Sequence, residues 1–269
     1  MAVISDGAQT QRIAMVLEFD GRHFSGWQRQ DNAPSIQAIL ESALAEVEGN
    51  PIQTIAAGRT DAGVHAEALL VHADVDVGRW QRARRAYTHG VNSHLPDSVR
   101  VVGVRAVGED FHARFDCLER AYRYQIWNRP VAPALQAWRH WWMPRALNPA
   151  AMQQAARSLL GRHDFSAFRA AGCQAVSAVR ELRQLDIEQR DGCILIHVRA
   201  DAFLYHMVRN IVGNLVQVGI GAWPPEEISR LLQSRDRVLG AATAPAHGLY
   251  FTDAVYKEFR ASEIPGQGC

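Results

Sequence analysis

Apolar residues along this chain recur with the two-residue period of strands in some segments and with the spacing of one helical face in others. In the first hundred residues the predicted elements are, in order, a strand over 13–19, a helix over 36–47, strands near 52–55 and 69–71, a helix over 79–91 and a strand over 99–107. Ser35 is the expected N-cap of the first helix, and Gly49 follows its end. The order βαββαβ is the ferredoxin-like pattern.

The same order is predicted again after residue 110. The elements are a strand over 120–127, a helix over 149–160, strands over 182–188 and 194–198, a helix over 203–218, an additional helix over 225–232 and a strand over 249–256. Asp191-Gly192 is the expected hairpin turn. We therefore predict an α+β fold of two ferredoxin-like, RRM-like halves side by side with a catalytic cleft between them, divided into domains 1–109 and 110–269.

The connection between the predicted strands near 52–55 and 69–71 is longer and more polar than the Asp-Gly turn of the second half. It places Asp61 between Gly58 and Gly63, which favours exposure of the carboxylate. A hairpin loop whose aspartate bonds only its own backbone is the commoner structure. The alternative is a loop that projects into a groove between two open sheets.

Arg209 is the second unusual position, because it lies in the most apolar predicted helix. An arginine beside such a face needs an anionic partner or an exit to solvent. Two interpretations are open. The side chain points outward beside Tyr205 and Asn210, or it pairs with Asp61 and keeps that carboxylate ionised and oriented.

Aromatic and basic residues alternate on the predicted strand over 120–127, where Tyr122 and Tyr124 follow Arg120 and flank Arg123. Such interleaving is typical of surfaces that stack bases and contact phosphates, although ordinary strands also carry tyrosine often. Further along the chain, three tryptophans are expected to cover a core rather than contact a ligand: Trp138, Trp141 and Trp142.

The formal net charge of +1 hides an uneven distribution of arginine. Residues 120–209 contain thirteen arginines against six acidic residues. A second group lies on the predicted helix over 79–91 and consists of Arg79, Arg82, Arg84 and Arg85. Both regions are candidate contacts for a polyanion, and an ordinary solvated face is the alternative.

Cysteine usage and the absence of long apolar stretches indicate a cytoplasmic protein. The cysteines contain no C-x-x-C pair, which is typical of a reducing compartment and argues against a zinc ribbon or a disulfide framework. Residues 1–12 lack the apolar core of a secretory leader, and no apolar run is long enough to cross a bilayer.

Rival chemistries lack residues that they need. His65-Ala66-Glu67 matches half of the zinc deaminase signature, but the required P-C-x-x-C is missing. A glycosidase needs a second positioned carboxylate, whereas Asp61 is accompanied by arginine and histidine. No metal site is predicted, because ligand spacing is absent from the remaining candidates, His89, His94 and His112.

The loop and several other segments together resemble the TruA-type tRNA pseudouridine synthases. The resemblance begins with Gly58-Arg59-Thr60-Asp61-Ala62-Gly63-Val64-His65 and covers the chain from its first strand to its last. The other matching segments are Phe111-His112-Ala113-Arg114-Phe115, Tyr122-Arg123-Tyr124, Phe203-Leu204-Tyr205-His206-Met207-Val208-Arg209-Asn210-Ile211-Val212-Gly213 and Pro245-Ala246-His247-Gly248-Leu249-Tyr250.

This resemblance implies an isomerase without metal or other cofactor that converts uridine to pseudouridine at positions 38 to 40 of the tRNA anticodon stem-loop, acting as a homodimer. It implies that Asp61 is the catalytic carboxylate, that Arg209 pairs with it and that Tyr122 packs on the target base, while Arg59 and Leu249 line the pocket. The carboxylate could attack the sugar or the base, or remove the 2′ proton to form a glycal, and the sequence leaves these routes open. The alternative function is a non-catalytic RNA-binding protein with RRM-like sheets.

Overall fold

The structure is a computed structural model that describes residues 9–264. Cys269 and most of residues 1–12, where no secretory leader was expected, lie outside the described residues. Within 9–264 it contains ten strands and six α-helices, and the strand pairs are mostly antiparallel, which confirms the α+β class. The chain forms two compact units. Unit 1 comprises the residues up to Leu118 and those from Asp253 onward, and unit 2 comprises Glu119–Thr252.

Unit 1 is built on an antiparallel sheet with one long helix. Its elements are β1 (Thr10–Phe19), α1 (Ile36–Glu48), β2 (Ile55–Ala56), β3 (His65–Asp76), α2 (Val77–Arg82), α3 (His89–Ser93) and β4 (Val99–Ala106). The strand order is β4-β1-β3, with β2 paired to β3. The predicted caps of α1 are confirmed, since the Ser35 hydroxyl accepts the Ala38 N–H at 3.3 Å and Gly49 follows with φ 72°.

The predicted single helix over 79–91 is wrong, because the chain leaves α2 at Ala83 and starts α3 only after Thr88. The rings of Trp80 and Tyr87 lie 5.5 Å apart. In a continuous helix the Cα atoms of these two residues would lie about 10 Å apart along the axis, so the break helps the two rings to meet. The Tyr87 hydroxyl donates to the carboxylate of buried Glu48, and burial raises the pKa of the phenol.

Unit 2 carries further strands, mostly antiparallel, together with helices. Its elements are β5 (Glu119–Trp127), β6 (Trp141–Trp142), α4 (Pro149–Ala156), β7 (Gly161–Asp164), β8 (Val179–Arg190), β9 (Cys193–Ala200), α5 (Met207–Gly219), α6 (Glu226–Ser234) and the start of β10 (Leu249–Val255). The strand order is β10-β5-β9-β8-β7, with β6 beside β5. The Asp191-Gly192 turn is confirmed, with φ values of 51° and 76°. Helix α5 begins later than predicted, because His206 has φ 59° and cannot belong to it.

Two of the three tryptophans expected in a core are exposed. Trp138 is 62% exposed and Trp142 is 42% exposed, whereas Trp141 is half-buried and meets the ring of Tyr124 edge-on. The expectation failed because β6 is only two residues long, so the segment before it runs over the surface instead of into the sheet.

Candidate active site

Asp61 lies midway along the loop that joins β2 to β3. Ala57 N–H donates to the Leu70 carbonyl at 2.8 Å where the loop leaves β2, and Val64 N–H donates to the Asp61 carbonyl at 3.1 Å in a tight turn. Gly63 supplies the left-handed residue of that turn with φ 77°. Asp61 is half-buried, so the loop leaves its side chain accessible to a ligand.

A second segment, residues 21–27, is hydrogen-bonded to the backbone of this loop. Trp27 N–H donates to the Thr60 carbonyl at 3.1 Å, and Gly63 N–H donates to the Phe24 carbonyl at 3.3 Å. Gly26 has φ 94°, and a Cβ there would lie 2.4 Å from the Thr60 oxygen. The backbones therefore approach more closely than any other residue would permit.

The same segment continues into α1 and so ties the loop to the core. Ile36 N–H donates to the Gly26 carbonyl at 3.2 Å, and Gln37 N–H donates to the Trp27 carbonyl at 3.0 Å. Trp27 is 2% exposed. This support is not predicted by any pattern in the sequence, where its only local signal is the pair of glycines, Gly21 and Gly26, ahead of a tryptophan.

His65 fixes the far end of the loop. Its Nδ1 accepts the Gly21 N–H at 3.1 Å and lies 3.2 Å from a carboxylate oxygen of Asp20. Burial disfavours the charge on Asp20, but hydrogen bonds from Arg22 outweigh it and hold the pKa of this carboxyl below its ordinary value. His65 is therefore a structural partner of the loop base in unit 1.

Of the residues predicted to bind substrate, Arg59 lies two positions before Asp61 on the same loop and is exposed. Tyr122 lies on β5 in unit 2, where it is 9% exposed and meets the rings of Phe203 and Phe251 edge-on at 5.0 and 5.1 Å. These contacts leave the tyrosine ring little rotational freedom. A fixed aromatic ring suits contact with a flat base.

Arg209 lies in the first turn of α5 and is half-buried. Its Nε donates to the Ala244 carbonyl at 2.8 Å, and Ala244 N–H donates back to the Arg209 carbonyl at 3.1 Å. The hydrogen bond from Nε thus orients the guanidinium, and its two Nη groups point away from the Arg209 backbone. The planar fork is the form of cation that can pair with a carboxylate through two donors.

The segment that orients Arg209, residues 241–244, packs directly on α5. A Cβ at Gly213 would lie 2.1 Å from the Ala242 oxygen, so only glycine permits this approach. Fully buried Asn210 accepts the Thr243 hydroxyl at 2.7 Å. The Asn214 side-chain oxygen accepts the Ala241 N–H at 2.8 Å. Two buried amides and a glycine therefore set the position of the arginine's acceptor.

Leu249 follows that segment at the start of β10 and is 4% exposed. The Tyr124 hydroxyl donates to the Pro245 carbonyl at 2.8 Å, and burial raises the pKa of this phenol while Arg209 opposes the shift. Burial also lowers the pKa of His247. Arg209, Tyr124 and Leu249 are thus joined through one short stretch of chain within unit 2.

Each unit therefore holds part of the predicted site. Arg59 and Asp61 lie together in unit 1, and Tyr122, Arg209 and Leu249 lie in unit 2. The ion pair between Asp61 and Arg209 stays a prediction. Among residues 9–264 no group of three potential ligands could hold a metal ion, and no helix of that range is long and apolar enough to span a bilayer.

The chain is similar in sequence to a known class of RNA-modifying enzyme. The family model described as tRNA pseudouridine synthase matches residues 15–116 and 155–257. The chain therefore belongs to the tRNA pseudouridine synthase family, which makes it an isomerase that converts uridine to pseudouridine in tRNA. The matched ranges include Asp61, Arg209 and Leu249, whereas Tyr122 lies between them.

Individual relatives are similar over nearly their whole length. A protein of Chromobacterium violaceum named tRNA pseudouridine synthase A is 48% identical over 92% of this chain and 94% of its own. Proteins with the same name from Thiobacillus denitrificans and Rhodospirillum centenum are 49% and 48% identical, each over 91% of this chain, and over 93% and 100% of their own lengths.

Proposed function

We propose that this isomerase acts on uridines 38, 39 and 40 of the tRNA anticodon stem-loop and uses Asp61 as its catalytic carboxylate. The observation that carries the proposal is half-buried Asp61 in the middle of a loop whose backbone is hydrogen-bonded to residues 21–27. A protein that only bound RNA would gain nothing from a carboxylate held in this loop, because a carboxylate repels phosphates.

The remaining site residues have distinct proposed roles. Arg209 pairs with Asp61 and keeps it ionised, which its orientation through Ala244 supports. Tyr122 packs on the target base, and Arg59 and Leu249 line the pocket. These roles follow from the resemblance of the surrounding segments to the family.

The proposed reaction needs one well-placed carboxylate. The C1′–N1 bond breaks, the detached uracil rotates, and C1′ bonds to C5, while a proton leaves C5 and N1 gains one. Asp61 acts as a nucleophile at the sugar or base, or as the base that takes the 2′ proton to form a glycal. The uridine must first leave its stack, at a cost of a few kcal/mol in a paired stem.

The arrangement of the chain is part of the proposal. Each unit is proposed to be a ferredoxin-like half, and the strand orders β4-β1-β3-β2 and β10-β5-β9-β8 support this. The two halves are proposed to form the cleft, and the protein to act in the cytoplasm as a homodimer.

A tritium-release assay tests the proposed function. Anticodon stem-loops with uridine tritiated at C5 are incubated with purified protein, and the converted positions are mapped chemically. We expect tritium release and pseudouridine at positions 38 to 40. Tight binding without release would favour the non-catalytic RNA-binding alternative instead.

Substitution Arg209→Lys is expected to lower the single-turnover rate roughly 10- to 100-fold, the value of one charge-assisted hydrogen bond of about 1.5–3 kcal/mol. Lysine keeps the charge but cannot donate to Ala244 and a carboxylate from one planar group. Thermal unfolding should stay near that of the unchanged protein. Arg230→Lys on the exposed face of α6 is the control, and a wild-type rate in Arg209→Lys would refute the pairing.

The arginines of α2 and the turn after it are expected to contribute to tRNA affinity by pairing with phosphates. Arg82, Arg84 and Arg85 are exposed, while Arg79 is held by Glu48 at 4.0 Å. Changing the three exposed residues to Gln should reduce the slope of log Kd against log salt by roughly 0.7 to 0.9 for each phosphate that the variant leaves unneutralised. An unchanged slope, equal to that of Arg230→Gln, would mean that this face is only solvated.

A further inference from the structure

We propose that Trp138 and the segment around it form a second tRNA contact, in which the Trp138 ring stacks on an unstacked base beside the target uridine. This inference rests on the proposed function, because it uses Leu249 to mark the position of the target. Trp138 lies in the stretch between the two ranges matched by the family model.

The charge of the surrounding chain favours a polyanion. Residues 120–163 contain no aspartate or glutamate, so every acidic side chain of the protein lies elsewhere. The same stretch contains seven arginines, Arg120, Arg123, Arg129, Arg139, Arg145, Arg157 and Arg162. Of these, Arg129, Arg139 and Arg145 flank Trp138 in the chain, and cations near the ring favour the approach of phosphates.

Large apolar side chains are exposed in the middle of this stretch. Trp138 is 62% exposed, and Val131 and Leu135 are 77% and 96% exposed. Neighbouring exposed apolar groups mark an interaction surface, whereas isolated ones need no explanation. Among them only the indole offers the flat face on which any base can stack.

The segment is held in place by hydrogen bonds. The Trp142 Nε1–H donates to the Arg129 carbonyl at 3.0 Å, and the Asn128 side chain donates to the Met143 carbonyl at 2.9 Å. The Tyr250 hydroxyl donates to the Arg139 carbonyl at 2.9 Å, directly beside Trp138. A surface fixed in this way loses little conformational entropy when it binds.

Trp138 also lies next to the proposed pocket. Its ring meets the edge of His247 with 6.1 Å between the centroids. His247 belongs to the turn Ala246–Gly248, which leads directly into Leu249. A base stacked on Trp138 would therefore be a near neighbour of the target uridine on the same strand.

A second copy of this chain is a less favourable occupant. A two-fold interface brings the same patch from both subunits together, so the acid-free stretch would face itself and its arginines would repel. RNA supplies a phosphate anion for the arginines and a flat base for the Trp138 ring.

The test measures the affinity of full-length protein for the anticodon stem-loop. We expect Trp138→Ala to raise Kd about tenfold, within the range of one base–aromatic stack, and Trp138→Phe to restore most of the affinity. Leu135→Ala is the control, since it removes an even more exposed apolar group without a ring. The salt slope should not change in Trp138→Ala, because stacking releases no counterions.

A double-mutant cycle identifies the stacked base. Abasic sites are placed in turn at each nucleotide flanking the target, and one of them should weaken the wild type about tenfold but add nothing to Trp138→Ala. Additive losses at every position would overturn the proposal. A Kd for Trp138→Ala equal to that of the wild type would also overturn it. The same holds if the loss of affinity in Trp138→Ala disappears at protein concentrations high enough to restore self-association. If wild-type protein releases no tritium while the cycle still shows coupling, the proposed function fails and the RNA contact remains.

Discussion

Substitution Asp61→Asn is expected to abolish pseudouridine formation, with a single-turnover rate at least about 10⁴-fold below that of the unchanged protein. The amide has the same shape as the carboxylate, but it can neither form a covalent adduct nor take up a proton. All three routes open to this reaction therefore fail together.

The same variant should fold and bind RNA normally. Asp61 is half-buried, and loss of its proposed charge-assisted pairing with Arg209 should lower the free energy of unfolding by no more than about 1.5–3 kcal/mol, which leaves the protein folded. The Kd for the stem-loop should be equal or slightly lower, since one repelling charge is gone. Tritium release, filter binding and thermal unfolding measure the three quantities.

Asp97→Asn is the matched control for the removal of one carboxylate. Asp97 is fully exposed and paired only on the surface with Arg100, so its substitution should leave turnover unchanged. Measurable turnover by purified Asp61→Asn, free of wild-type protein, would refute the catalytic role of Asp61.

Substitution Gly26→Ala should impair both stability and catalysis, although residue 26 lies 35 positions from Asp61 in the sequence. The new Cβ would lie 2.4 Å from the Thr60 oxygen and 3.0 Å from the Asp61 carbonyl carbon, and both are backbone atoms that cannot rotate away. The loop must shift, and a displacement of about 1 Å can cost roughly 10²-fold in rate. The strained φ adds about 1–3 kcal/mol of destabilisation.

Gly49→Ala is the control that separates backbone strain at a positive φ from the steric clash expected in Gly26→Ala. Gly49 has φ 72°, but a Cβ there meets no atom within 4 Å. This control should lose stability through strain alone, on the order of 1 kcal/mol, and keep the wild-type rate. Urea unfolding and single-turnover kinetics of the two variants decide the matter. Equal rates would show that residues 21–27 do not position Asp61.

Local patterns predicted most of the secondary structure. Helix α1 and its caps followed from apolar spacing and from Ser35 and Gly49, and the hairpin between β8 and β9 followed from Asp191-Gly192. Where contacts between distant side chains decided the backbone, the patterns failed. The predicted helix over 79–91 is broken at Ala83, and Trp80 and Tyr87 pack together across the break.

The amino-acid sequence by itself determined the residue types of the site. An aspartate in a glycine-bounded polar loop and an arginine in an apolar helix are visible without coordinates, because both depart from the local period. Their resemblance to one family of enzymes also resides in short contiguous segments, which explains why the family could be identified before the fold.

Only the tertiary structure decided how those residues are held and what lies beside them. The support of the Asp61 loop by Gly26, the support of Arg209 by residues 241–244 and the exposure of Trp138 all depend on segments that are distant in sequence. Such contacts are set by close packing between distant backbone segments, which the periodicity of side chains along the sequence does not predict. The sequence therefore predicts which residues could carry the chemistry, whereas only the tertiary structure shows how those residues are positioned.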